Sequence, residues 1–131
     1  MIGVVLVSHS SLSTAFKNAV EHVVGAQSQF KDICIEADDN MEQRRNDIID
    51  AVAEVDSGDG VIIVTDMFGG SPTNLSLRAC SPENRRILYG ANLPMLIKLA
   101  KSRHATVPDA VAAAIEAAHK YINSHNGGLP Q

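Results

Sequence analysis

Val61-Ile62-Ile63-Val64-Thr65-Asp66-Met67-Phe68-Gly69-Gly70-Ser71-Pro72 is the stretch on which the fold turns. Four consecutive aliphatic residues leave the segment no polar face, so it predicts a strand buried on both sides, as parallel sheets require. The acidic, glycine-rich turn that follows ends in Ser71-Pro72, a favourable N-cap and first-turn pair, and predicts a helix running through Leu75 and Leu77.

The same grammar repeats on either side. Ile2 to Val7 is an aliphatic run closed by the polar turn Ser8-His9-Ser10-Ser11, a first strand. Leu12, Ala15, Phe16, Ala19, Val20, Val23 and Val24 then recur at helical spacing and stop at Gly25, which predicts an amphipathic helix with that stripe turned inward. Ile33-Cys34-Ile35 marks a second strand, and Asn40 with Gln43 resembles a capping box opening a helix that carries Ile48, Ile49, Val52 and Val55. Ile87-Leu88-Tyr89 reads as a fourth strand, Gly90-Ala91-Asn92 as a turn, and Pro94 as the opening of a helix through Leu99. A last, alanine-rich helix starts at Thr106 to Asp109 and ends near Tyr121. Strands alternating with helices imply right-handed parallel crossovers, hence an α/β three-layer sandwich of the flavodoxin-like kind, its mainly parallel sheet ordered 2-1-3-4. One domain is expected over residues 1–125, with 126–131 as a flexible tail.

Composition narrows the function classes. The chain has 131 residues, a net charge of −4 and no tryptophan, so it lacks the basic surplus that nucleic acid binding demands. Cys34 and Cys80 are far apart in sequence and are expected as reduced, buried thiols rather than a disulfide or a thiolate metal site. His22, His104, His119 and His125 have no acid or cysteine at metal-ligand spacing, so neither a metal nor another cofactor is expected. No basic segment precedes the short apolar run at the N-terminus, which argues against a signal peptide or membrane span and for a cytoplasmic protein.

With strand order 2-1-3-4 the topological switch point falls between strands one and three, where ligands of such sheets bind, and the turns carrying His9 and Asp66 become neighbours. A histidine offers one ring nitrogen as nucleophile while the other donates a proton, and Asp66 is placed to accept that proton's hydrogen bond and fix the tautomer. Gly69, Gly70 and Ser71 open a helix whose free N–H groups suit a phosphoryl group. Ser10 and Ser11 open the first helix in the same way, and Asn92 is expected on the same rim. Arg85 and Arg86 are expected at the opposite edge as a solvated turn. Other readings fit less well. A receiver domain needs an acidic pair after strand one, which Ser8-His9-Ser10 lacks. A Ser71-His9-Asp66 hydrolase triad lacks the nucleophile elbow, and Pro72 removes an oxyanion donor. A flavin or nucleotide binder would want a phosphate loop or flanking aromatics, and neither is evident.

At His9, at Asp66-Met67-Phe68-Gly69-Gly70-Ser71-Pro72-Thr73-Asn74 and at Gly90-Ala91-Asn92-Leu93-Pro94-Met95, the sequence resembles the enzyme IIA component of the mannose family of the bacterial phosphoenolpyruvate-dependent sugar phosphotransferase system. The resemblance spans nearly the whole chain. It implies a phosphotransferase in which His9 takes a phosphoryl group from the carrier HPr and passes it to a IIB protein, for sugar uptake or to report phosphorylation state. It also implies a homodimer, with residues near Lys120 to Ser124 as an exchanged antiparallel edge strand, and peripheral contact with a membrane sugar permease. Ser8 and Ser10-Ser11 stand where relatives often have Thr and Gly. The sequence ends at Gln131, so a free-standing IIA without a fused IIB domain is expected. The phosphotransfer subunit of a dihydroxyacetone kinase also has this fold and an N-terminal histidine, but the Gly-Gly-Ser-Pro segment favours the mannose type.

Overall fold

A computed structural model describes residues 1–67, 69–80 and 84–128. Residues 129–131 of the expected tail, and Phe68 within the glycine-rich turn, lie outside the described residues. Strands and helices alternate along the chain: β1 (Gly3–His9), α1 (Leu12–Val24), β2 (Phe30–Ile35), α2 (Met41–Val55), β3 (Val61–Thr65), α3 (Ser71–Ser76), a 3-10 turn (Arg78–Cys80), β4 (Arg85–Leu88), α4 (Leu93–Lys101) and α5 (Val107–Lys120).

The sheet has the order β2-β1-β3-β4 and every pairing is parallel, as expected from the sequence. Alternation along β1 and β3 divides the core between the two faces. Val4, Leu6, Ile62, Val64 and Leu88 pack with Val20, Leu96, Leu99, Ala110 and Ala114 on the side of α1, α4 and α5. Val5, Val7, Val61 and Ile63 pack with Ile48, Val52, Val55 and Leu75 on the side of α2 and α3. This produces the three layers.

Local chemistry sets the helix ends. The Gln43 N–H donates to Asn40 Oδ1 at 3.0 Å, but the Gln43 side chain turns forward to Asp47, so only half of the expected box forms. Thr106 caps α5 through the Asp109 N–H. Helix α3 starts one residue earlier than expected: Gly70 occupies the cap and Ser71 the first helical position. It also stops at Ser76, leaving Leu77 60% exposed.

Three further expectations are corrected. The inward stripe of α1 is narrower than its spacing suggests: Phe16, Val20 and Val24 pack inward, whereas Leu12 and Val23 are 40% and 54% exposed. Cys34 and Cys80 are free but only partly buried, because β2 is an edge strand and Cys80 closes a surface turn. Neither Arg85 nor Arg86 is a turn residue: both lie on β4, where Arg86 is exposed and the Arg85 guanidinium meets Asp56 at 3.2 Å and donates to the Ala79 carbonyl. Residues 121–128 form no strand within the single chain and the outer edge of β4 is uncovered by a further strand among the described residues, so an exchanged edge strand would come from a second copy.

Candidate functional site

The junction of β1 and β3 builds the site. Along β1 alternate N–H groups point toward β3, beginning with Gly3, which donates to the Gly60 carbonyl at 3.0 Å. The same parity sends the His9 N–H toward β3, but β3 has ended at Thr65, the partner of Val7. The Asp66 carboxylate takes over where the backbone ladder stops: its Oδ2 accepts the His9 N–H at 3.0 Å. The same oxygen lies 2.9 Å from His9 Nδ1, and Oδ1 accepts the Met67 N–H at 3.0 Å. An ionised carboxylate only accepts, so Nδ1 carries the proton and the Nε2 lone pair is left outward. The His9 side chain is 48% exposed and that of Asp66 11%. Burial raises the Asp66 carboxyl, but the His9 N–H, the His9 ring and the Met67 N–H outweigh it and hold the group below the usual carboxylate range.

The glycine-rich turn sits against the ring. A Cβ on Gly70 would lie 2.7 Å from His9 Cε1 and 3.0 Å from Nε2, so only a glycine leaves that nitrogen open. Gly69 is at φ +85°, a left-handed conformation that bends the chain back from Asp66 into α3. Ser71 is exposed, and its hydroxyl has no partner among the described residues.

Residues that sequence reasoning passed over hold this arrangement. The buried hydroxyl of Thr65 lies 2.9 Å from that of Thr73, which donates to the Met67 carbonyl at 2.9 Å. With one proton each, Thr65 must donate to Thr73, and the chain of bonds ties β3, α3 and the intervening turn together. On the other side, buried Ser8 accepts the Ser13 N–H at 2.6 Å and so caps α1, while Ser11, in the cap position, makes no side-chain cap bond. The signal was a hydroxyl closing an aliphatic run, Ser8 after Val7 and Thr65 after Val64.

Ser10 and Ser11 are exposed beside His9, with Ser10 in the left-handed region at φ 51°. Asn92 is brought to the same end of the sheet, where the next residue back, Ala91, donates to the Thr65 carbonyl. Its amide is nevertheless committed: Oδ1 accepts the Met95 N–H and Nδ2 donates to the Ala118 carbonyl, both at 3.0 Å. Among the described residues, no three His, Cys, Asp or Glu side chains are grouped to hold a metal. No helix among them is long and apolar enough to cross a membrane.

Known proteins share this architecture. The PTS sorbose-specific EIIA component of Lacticaseibacillus casei is 30% identical over 98 residues, 74% of this chain and 70% of that protein. The mannose-specific EIIAB component of Escherichia coli K12 is 25% identical over 94% of this chain, which spans only 39% of that longer protein. A crystal structure of phosphotransferase component EIIA from Streptococcus agalactiae superposes with a TM-score of 0.80 at 25% identity, covering 95% of this chain and 97% of that one. The mannose/sorbose-specific IIA subunit from Enterococcus faecalis, at 20% identity, has the same fold with a TM-score of 0.87 over 99% of this chain and 97% of its own. The sequence profile described as "PTS system fructose IIA component" matches residues 3–116, and the chain accordingly belongs to the EIIA-man family, the mannose-type IIA components of the sugar phosphotransferase system.

Proposed function

We propose that this chain is a cytoplasmic phosphohistidine carrier in which His9 Nε2 accepts a phosphoryl group from phospho-HPr and hands it to a IIB protein. The observation that carries the reading is the 2.9 Å contact between His9 Nδ1 and Asp66 Oδ2, which leaves Nε2 as the free nucleophile on an exposed ring. As the Nε2–phosphorus bond forms, the bond from phosphorus to the donor imidazole of HPr breaks, and positive charge grows on the His9 ring. The Asp66 carboxylate opposes that charge from the Nδ1 side. Gly70 keeps the approach to Nε2 clear, and the N–H groups of the turn at Gly69 and Gly70, with the hydroxyls of Ser71, Ser10 and Ser11, are the donors offered to the phosphoryl oxygens. Asn92 contributes by fixing the start of α4 rather than by touching phosphate.

Exposed apolar side chains adjoin these residues in sequence, Leu12 after the His9 turn and Met67 after Asp66, at 40% and 57% exposure. They suit transient docking of a carrier protein. The domain comprises residues 1–125, acts as a homodimer through the open edge of β4, and serves a sugar permease by peripheral contact or reports phosphorylation state to a regulatory partner.

The test is phosphorylation with phosphoenolpyruvate, enzyme I and HPr. The expected product is an alkali-stable, acid-labile phosphate on histidine that disappears in His9→Gln. Labelling that survives in that variant overturns the assignment.

A further inference from the structure

We propose that the cleft at the amino-terminal pole of the sheet, the end opposite His9, binds a small anion bearing a phosphate group, with Arg86 and Arg103 supplying the positive charge. The cleft has a volume of about 510 Å³ and is lined by Met1, Asp59, Arg86, Arg103, His104 and the first turn of α5. That volume lies within the roughly 300–1,000 Å³ of small-molecule sites.

Arg103 is the anomaly that points to a ligand. It is 2% exposed, yet every group it touches among the described residues is neutral. Its Nε donates to the Ile2 carbonyl and its Nη2 to the Gln29 carbonyl, both at 2.8 Å, its Nη1 reaches Gln27 Oε1 at 3.2 Å, and the Phe30 ring lies 5.8 Å away. Buried charges are ordinarily paired, because desolvation of a lone ion is costly. Arg103 has no ion pair among the described residues, and it sits in the wall of a cleft.

The rest of the lining adds to the imbalance instead of correcting it. The acid that lines the cleft, Asp59, is cancelled by the α-amino group of Met1 at 2.6 Å. The Arg86 guanidinium has no hydrogen bond or ion pair among the described residues, and the His104 ring has no hydrogen bond among them, though after the Met1 α-amino group its charge helps to hold the Asp59 carboxyl below its ordinary value. Helix α5 begins here as well: Thr106 Oγ1 takes the Asp109 N–H, whereas the Val107 N–H has no partner within the helix. On a chain of net charge −4 this is a local surplus of cationic donors. The Arg86 guanidinium fork can match phosphate oxygens in pairs while Arg103, its nitrogens already engaged, adds buried positive charge, which favours a phosphate group over a monovalent carboxylate. A bound anion would bridge the starts of β1, β4 and α5, far from the chemistry at the other pole, and would clamp three elements at once.

The test is an amide NMR titration of the whole protein with inorganic phosphate and, separately, glucose 6-phosphate, at constant ionic strength set with chloride. Saturable shifts at the amides of Ala105, Thr106 and Val107 are expected. Arg86→Gln, a change at an exposed side chain, should weaken the midpoint by at least about tenfold, the loss of one charge-assisted contact. A tighter midpoint for glucose 6-phosphate would mean that the organic part is recognised as well, and equal midpoints that the phosphate alone is; both support the site. Absence of saturation at tens of millimolar, shifts confined to Gly69, Gly70 and Ser71, or a midpoint unchanged in Arg86→Gln would each overturn it.

Discussion

The ring of His9 is held by a single carboxylate oxygen that also terminates the β1 ladder, so position and electronic support come from one residue. Asp66→Asn keeps the size of the side chain but removes its charge. Phosphoryl transfer to His9 is expected to slow by about 10- to 100-fold, the worth of a hydrogen bond to a charged group, with the fold retained; quench-flow rates at wild-type speed would refute the role. The same residue gives a pH signature. The carboxyl titrates near 3.9 in the unfolded chain and lower in the folded one, so its contribution is complete above that value and is lost as pH falls through the folded value. The stability gap between wild type and Asp66→Asn should therefore close below about pH 4 in denaturant melts. Gly70→Ala separates access from stability. Gly70 is at φ −86°, where alanine is unstrained, and a stability change of no more than about 0.5 kcal/mol is expected. Its methyl group would nevertheless press on Cε1 and Nε2, so labelling of His9 should fall at least as far as in Asp66→Asn. A Gly70→Ala protein that labels normally would mean that the turn gives way.

At the scale of the element, the β3-to-α3 turn matters most, and its order comes from Thr73. In Thr73→Val the Thr65 hydroxyl and the Met67 carbonyl lose their shared partner, which is expected to cost about 1–3 kcal/mol. Thr73→Ser should restore most of it. Equal chemical denaturation midpoints for wild type and Thr73→Val would show that the hydroxyl chain is dispensable. This element also marks the boundary of what sequence reveals. The β3 run and the Gly-Gly-Ser-Pro signature declare a buried strand, a bend and a helix start, because each is a matter of local backbone and solvent preference. Likewise His9 and Asp66 are legible as a pair once the sheet order is known. The links from Ser8 to Ser13 and from Thr65 to Thr73 were not legible, since a hydroxyl in an apolar run announces only that it needs a partner, never which one. The same limit explains Asn92. Its place at the rim follows from topology, but its commitment to Met95 and Ala118 depends on how α5 docks.

At the scale of the molecule, two apolar layers close around the sheet, and one polar residue fastens its amino pole. Arg103 joins the start of β1, the connection between α1 and β2, and the segment between α4 and α5; its own carbonyl also accepts the Ile2 N–H at 2.8 Å. Nothing in the pattern around Lys101-Ser102-Arg103-His104 distinguishes it from a solvated loop cation, because its partners stand as many as 101 positions away. Arg103→Leu would place an apolar side chain of lesser reach in the same space and leave the Ile2 and Gln29 carbonyls without their donor. Removing buried donors of this kind costs about 1–3 kcal/mol per unsatisfied group, against which the relief of desolvating a lone charge is set. Burial holds the Arg103 guanidinium below its usual pKa, so that relief is real, but it cannot supply hydrogen bonds to two carbonyls. The net expectation is a lower melting temperature together with faster amide exchange at Ile2, Gly3 and Phe30, while Asn74 and Ala91 at the other pole, whose N–H groups donate to the Gly70 and Thr65 carbonyls, keep their protection. A uniform loss of protection across both poles would mean that Arg103 supports the whole sheet, and an unchanged melting temperature would mean that packing alone closes the amino end.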